Sequence, residues 1–262
     1  MFNYLKTNRN IITQFIKRET ISRYKGSYLG FMWTILTPLF MLLVYTFVFS
    51  EIFKAKWGTG STNKLEFAII IFCGLTTFNI FGEVLSRAPF LILGNSNYVK
   101  KVVFPLEVFS IVSVGTALVT ATINFSLVII FSGFIFKTLH WTILLLPIMI
   151  LPLLVFTLGI SWLFSSLGVF LRDIGQMIAI VVQALSLLSP IFYSVEVIPS
   201  QFKWFYNLNP LTYYIENIRG IMLWGKIPSL AEFATESIVA LVVCLIGLVV
   251  FRKTKHAFAD VL

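Results

Sequence analysis

The chain has 262 residues, of which 58% are hydrophobic and 12% charged, with a formal net charge of +9. A charged fraction of about half the usual ~25% excludes an ordinary water-soluble globule. The basic excess invites a nucleic-acid reading, but Lys and Arg gather on the cytoplasmic side of membrane proteins, which accounts for them with no nucleic acid involved.

On a helical wheel, residues 2–18 put Tyr4, Leu5, Ile11, Ile12, Phe15 and Ile16 on one arc and Lys6, Arg9, Asn10 and Lys17 opposite. This predicts an amphipathic helix in the cytoplasmic interface, its cations meeting anionic lipid headgroups. Residues 1–27 hold six Lys/Arg and no short apolar stretch before a cleavage site, so the first span is expected to serve as the membrane signal. Gly26 and Gly30 stand four apart at its mouth, a spacing that reads equally as close helix packing or as a flexible elbow.

Apolar runs near 28–50, 67–81, 104–136, 141–170, 174–188 and 233–251 mostly have the roughly 17–25 residues needed to cross hydrocarbon. They predict an all-α polytopic protein of six spans in a single membrane domain over 1–262: a cytoplasmic interface segment at 1–25, spans one to five within 28–188 and span six at 233–251. With alternating sides and residue 1 inside, seven cations fall outside (Lys54, Lys56, Lys64, Lys137, Lys203, Arg219, Lys226) and the other thirteen Lys/Arg inside. That asymmetry predicts cytoplasmic termini.

Along the spans, Trp33, Phe40 and Phe47 recur every seven residues and give span one an aromatic face, which suits lipid, core or a sugar ring alike. Span two carries a polar face of Thr76, Asn79, Glu83 and Arg87, whose last two members are spaced as a local ion pair. Gln176 and Gln183, with Ser186 nearby, repeat the pattern on span five, whereas Thr157, Ser161 and Ser165 read as a helix-packing seam. The outer segment 51–66 is too short for a folded domain. The inner segment 93–105, with its Gly-Asn-Ser turn and Lys100 and Lys101, suits a short cytoplasmic helix.

Catalytic chemistry finds little support. Only His140 and His256 exist, far apart, and the acids and bases crowd the span ends instead of mid-membrane. Gly220 to Ile227 nearly spells a phosphate-binding loop, but Ile227 replaces the metal-binding hydroxyl and no strand precedes it. Cys73 and Cys244 lie in apolar runs and read as small buried hydrophobes. The stretch WFYNLNPLTYYIENIRGIMLWG, 204–225, is too broken for a span and too apolar for a loop in water. Pro199 and Pro210 interrupt helices there, and Asn207 and Asn209 are placed to cap one.

Four segments, RYKGSYLGFMWTILTPLF, NSNYVKKVVFPLEV, SLGVFLRDIGQ and NPLTYYIENIR, resemble in order and spacing the permease subunits of bacterial polysaccharide ABC exporters, those for O-antigen, capsule and teichoic acid. The resemblance covers essentially the whole chain. It implies a homodimer in the bacterial cytoplasmic membrane, joined to two cytoplasmic ABC ATPase subunits and moving an undecaprenyl-linked polysaccharide, O-antigen foremost, outward. ATP and Mg would be used by the partner subunit, with no cofactor on this chain and no catalytic or metal-binding residues. It also implies that 190–225 forms short re-entrant helices at the outer mouth. The expected ATPase-contact residues are Asn95, Asn97, Tyr98, Lys100, Lys101, Arg172 and Asp173; the expected substrate path is Trp33, Phe40, Phe47, Gln176, Gln183, Tyr213 and Tyr214. A permease for a drug or small lipid and a membrane glycosyltransferase are the competing readings.

Overall fold

In the computed structural model the described residues are 8–23, 25–48, 57, 64–100 and 104–262. They are helical with intervening turns, and no strand occurs among them. Four helical runs are long and apolar enough to cross a membrane: Leu65–Phe90, Val108–Phe136, Trp141–Phe170 and Leu230–Val261. Trp33–Val48 and Ile174–Leu188 are apolar but shorter.

In chain order, α1 is Arg9–Ser22, α2 Trp33–Tyr45, α3 Lys64–Arg87, α4 Ser96–Lys100, α5 Val108–Phe136, α6 Leu146–Met149 and α7 Leu151–Phe170. Then come α8 Ile174–Leu188, α9 Lys203–Leu208, α10 Pro210–Leu223, α11 Leu230–Thr254 and α12 Phe258–Val261. The expected interface helix at 2–18 thus runs further, to Ser22, and its residues 2–7 lie outside the described residues. Span two also outruns its apolar core. Beyond the apolar run ending at residue 81 the helix continues through Glu83 and Arg87, the polar residues expected on its face, which pair with each other and with Arg23 and Glu19.

Local chemistry sets the boundaries. Ser229 and Glu232 form a reciprocal capping box at the start of α11, satisfying two of the donors a helix N-terminus leaves free. Pro152 and Pro210 sit in the first turns of α7 and α10, where no backbone N–H is needed. Lys137 ends α5 in the left-handed region at φ 55°. Gly26 and Gly30 have φ of 92° and 49°, with open space where a Cβ would stand. The elbow reading therefore holds at this pair, and close packing occurs elsewhere.

Close packing is found where α11 crosses α7, the most extensively packed helix pair. A Cβ on Gly247 would meet the backbone of Gly159, and one on Gly159 would meet the backbone of Cys244. A Cβ on Gly168 would likewise strike the Pro89 backbone. Without a hydrophobic force between helices in lipid, such backbone approach maximises dispersion contact. Thr157, Ser161 and Ser165 are all buried, as a packing seam requires.

The hub is α3. Its apolar window is 83% buried, against 22% for that of α11, and it touches α2, α5, α7, α8 and α10. The core divides along it. Phe81, Phe125, Phe156, Tyr214 and Ile218 belong to one cluster; Val84, Phe109, Trp162, Phe251 and Phe258 belong to the other. The α1 region and the C-terminal residue both meet the second half. Arg23 pairs with Glu83 and Glu19 with Arg87, while Lys100 donates to the Leu262 carbonyl. Residues 190–230 occupy the opposite end of the molecule.

Candidate functional site

At the end that holds α12, α1 packs on α5 and inserts Phe15 among Tyr98, Phe104 and Phe109, with ring centroids 5.7–6.1 Å away. Of the apolar arc read from the sequence, Phe15 and Ile16, the latter beside Gly115, thus contact protein, and Tyr4 and Leu5 lie outside the described residues. Tyr98 is held by the same rings, and Asn95 donates its amide to Leu91 O at 2.9 Å. Asn97 and Lys100 remain exposed, and Lys101 lies outside the described residues. Arg172 and Asp173 are exposed in the turn between α7 and α8.

Glu107, unremarked in the sequence, is the anchor of this end. It is 3% exposed, 3.0 Å from Lys255 Nζ and 3.7 Å from Arg252 Nε, and its carbonyl accepts from Trp162 Nε1 at 3.1 Å. A buried carboxylate is tolerable only when paired in this way.

Along the middle, Trp33, Phe40 and Phe47 are 38%, 57% and 60% exposed, so all three rings face outward from the single chain. Trp33 donates to Ser27 Oγ at 3.0 Å. It also lines a cavity of about 340 Å³ between α2, α3 and α5, together with Thr34, Thr37, Asn79, Thr120 and Asn124. The aromatic face and the polar face of span two therefore meet at Trp33 and Asn79. Thr76 does not join them, because it is buried at 1%. Gln176 and Gln183 stand on the exposed side of α8, and Ser186 spends its hydroxyl on the Gln183 carbonyl within the helix.

At the opposite end, Asn209 caps α10, its Oδ1 accepting from Leu211 N at 3.0 Å and its Nδ2 donating to Ser189 Oγ at 3.2 Å. Asn207 lies inside α9 instead and caps nothing there. Tyr213 is 37% exposed, whereas its neighbour Tyr214 is 1% exposed and packs on Phe156. The expected path residue Tyr214 is therefore a core residue, because consecutive helical positions lie about 100° apart and α10 buries the Tyr214 side.

Arg219 is the largest departure from the sequence reading, which counted it as a loop cation. It is wholly buried. Its Nη2 donates to Pro190 O at 3.0 Å and to Ile191 O at 3.4 Å, its Nε to Ile70 O at 3.3 Å, and its Nη1 pairs with Glu216. The guanidinium also lies 4.4 Å from the Trp57 ring, within cation–π range. Burial pushes the Glu216 carboxyl above the usual carboxylate range, and the Arg219 charge beside it opposes that. The Glu-x-x-Arg spacing was the available signal for the pair, but nothing in it reveals the carbonyls. The near phosphate-loop at 220–227 is a helix end: Lys226 N and Trp224 N both return to Gly220 O, and Gly225 turns the chain at φ 64° against His140.

A family profile described as ABC-2 type transporter matches residues 11–223. The chain belongs to the ABC-2 type transporter family. The match ends at Leu223, so it takes in α1 to α10, including the buried Arg219, and leaves α11 beyond it. Among curated relatives, an O-antigen export system permease protein RfbA of Klebsiella pneumoniae is 26% identical over 243 residues, 92% of this chain and 90% of its own. Its namesake in Myxococcus xanthus is 23% identical over 96% of this chain and 95% of its own. The polysialic acid transport protein KpsM of Escherichia coli is 26% identical over 92% of both. Membership settles the fold class as a helical membrane permease, and the structure adds where its polar groups are spent.

Proposed function

We propose that this chain is the membrane subunit of an ATP-driven exporter carrying a lipid-linked polysaccharide, of O-antigen type, from the cytoplasmic to the outer face of the bacterial cytoplasmic membrane. The observation that carries this is the similarity to permeases named for O-antigen export along at least 90% of both chains. The polysialic acid transport relatives make a capsule-type glycan the second reading.

On this reading 1–262 is one domain that crosses the membrane six times, Trp33–Val48 and Ile174–Leu188 completing the set. At ~1.5 Å per residue the 15 residues of Ile174–Leu188 reach roughly 22 Å, short of the ~30 Å hydrocarbon core. Local thinning of the bilayer and the flanking turns supply the difference. The termini lie in the cytoplasm. With Arg219 buried and removed from the loop cations, the asymmetry sharpens from thirteen against seven to thirteen against six. The short helices within 190–225 then dip into the outer leaflet as a rim. Irregular backbone is tolerated at that depth only where protein covers it, and Arg219 supplies such cover by taking up the Pro190 and Ile191 carbonyls.

Two copies of the chain enclose the path, and two ABC ATPase subunits dock on the face with the termini. Asn97, Lys100, Arg172 and Asp173 are exposed there, Asn95 and Tyr98 adjoin them, and Lys101, outside the described residues, is assigned to the same contact by the sequence alone. ATP and Mg are consumed in that partner. The test is export in inverted vesicles holding the chain with or without its ATPase. Lipid-linked glycan is expected to reach the lumen only with both subunits and ATP, and glycan movement by the chain alone would defeat the proposal.

Trp33, Phe40 and Phe47 are assigned to the conduit, where stacking holds each sugar weakly enough for a polymer to slide. Phe40→Ala is expected to lower surface glycan several-fold without loss of membrane insertion, and Phe40→Leu to leave the defect in place. Full restoration by Leu, measured by glycan immunoblot, would make the ring a mere space-filler.

A further inference from the structure

At the end opposite α1 and α12, a cavity of about 570 Å³ opens between the 194–196 turn, α10 and the start of α11. That volume lies within the roughly 300–1,000 Å³ of small-molecule sites. Three rings stand in its wall, Trp57, Tyr213 and Trp224, the two indoles 6.5 Å apart and inclined by 34°. Between them are the amides of Asn207 and Asn217 and the carboxylates of Glu196 and Glu232. Thr212, also in the wall, is 7% exposed, and its hydroxyl has no hydrogen-bond partner among the described residues. Asn217 Nδ2 is spent on Glu236 Oε1 at 2.8 Å and one Glu232 oxygen on the Ser229 N–H, which leaves the Asn207 amide, the Glu196 carboxylate and the second Glu232 oxygen beside the apolar ring faces.

That pairing matches one ligand chemistry. A pyranose offers a C–H face to a ring and a rim of hydroxyls that both donate and accept, which an amide and carboxylates can meet. A metal ion does not fit, because no cluster of three His, Cys, Asp or Glu occurs among the described residues. Charge narrows the class further. Among the described residues the lining carries Glu196 and Glu232 against Lys226, while Glu216 is paired with the buried Arg219 behind it, whose other donors go to three carbonyls, so the wall keeps a net negative charge. An acidic polymer would meet like charge there.

We infer that this cavity is a binding site for one or two residues of an uncharged glycan, and that it discriminates against acidic glycans. The inference deepens the polysaccharide-export reading and rests on it. It also separates the two glycan types named in the relatives, since a neutral O-antigen would be accepted and a polysialic acid refused.

The test is saturation-transfer difference NMR on the full chain in nanodiscs, with maltotriose, mannotriose and chitotriose as neutral probes and trisialic acid as the acidic one. At least one neutral probe is expected to receive saturation and trisialic acid none. Tyr213→Ala and Asn207→Ala, both at exposed positions, are expected to reduce that transfer several-fold. Glu196→Lys combined with Glu232→Gln, which keeps a capping side chain, is expected to admit trisialic acid. Absence of transfer to every neutral probe, equal transfer in the wild type and both alanine variants, or binding of trisialic acid by the wild type would each overturn the inference. Vesicle export is read in parallel. Export without saturation transfer removes the cavity and leaves the transporter, whereas transfer without ATP-dependent export removes the transporter and leaves a glycan-binding cavity.

Discussion

Arg219→Ala is expected to destabilise the protein by about 3–5 kcal/mol, the range for removing one partner of a buried ion pair. The loss exceeds that of a surface cation because four acceptors depend on this one side chain: the carbonyls of Ile70, Pro190 and Ile191 and the carboxylate of Glu216. They come from α3, the turn after α8 and α10, so the guanidinium ties the 190–223 region to the hub helix. Gly74 makes the room, since a Cβ there would collide with Arg219 Nη2. Lysine cannot replace the fork, having one nitrogen where Arg presents a planar array of donors. Arg219→Lys is therefore expected to recover only part of the loss. Cys73 and Cys244 are both free and buried, so thermal unfolding in detergent can be followed by thiol labelling. At roughly 2–4 °C per kcal/mol for a chain of this size, the alanine variant should label at a midpoint on the order of 10 °C lower. The double change Arg219→Met with Glu216→Gln should cost less than the single, because no charge is left alone. An unchanged midpoint for Arg219→Ala would show that the buried network carries no stability.

The same residue marks where reading the sequence stops. Apolar runs reveal helices because burial and lipid impose the same demand on composition, and each predicted run holds a helix among the described residues, the one at 104–136 beginning only at Val108. Local chemistry was equally legible: Asn209 caps α10, Pro210 starts it, and Glu83 pairs with Arg87. What composition hides is the partner. A charged residue near the end of an apolar stretch looks alike whether it faces water, as Arg172 does, or three carbonyls, as Arg219 does. Glu107 was passed over for the same reason, since Arg252 and Lys255 lie about 145 residues further on. Of the candidate path, the aromatic face could be read from its seven-residue period. The cavity joining it to Asn79 could not, because that depends on α2 lying against α3 and α5. Tyr213 and Tyr214 look equivalent in sequence and are separated only by which side of α10 is covered.

Glycines give the sharpest case, and they carry the second large effect. The spacing that draws the eye, Gly26 and Gly30, meets open space, whereas Gly159 and Gly247, far apart in sequence, meet each other. At that crossing the atoms facing an added Cβ are backbone: Gly159 C and Cα for a substitution at Gly247, Cys244 N and Val243 O for one at Gly159. Backbone cannot rotate away, so any side chain must push α7 and α11 apart along their whole contact. Gly115 offers the control. A Cβ there meets only the end of the Ile16 side chain, which can change rotamer at a cost of order 1 kcal/mol. Gly247→Ala is accordingly expected to cost at least the ~1–3 kcal/mol of an overpacked core, Gly247→Leu to prevent stable folding, and Gly115→Ala to change little. Thiol labelling at Cys244, which lies in the crossing itself, reads the difference directly. Equal behaviour of Gly247→Ala and Gly115→Ala would mean that the crossing tolerates separation. The consequence reaches the end that holds α1 and α12, because α11 delivers Arg252, and the turn after it Lys255, to Glu107. A variant that opens the crossing should therefore lose the proposed ATPase docking together with stability, whereas Arg219→Ala, acting at the far end, should loosen the 190–223 region first.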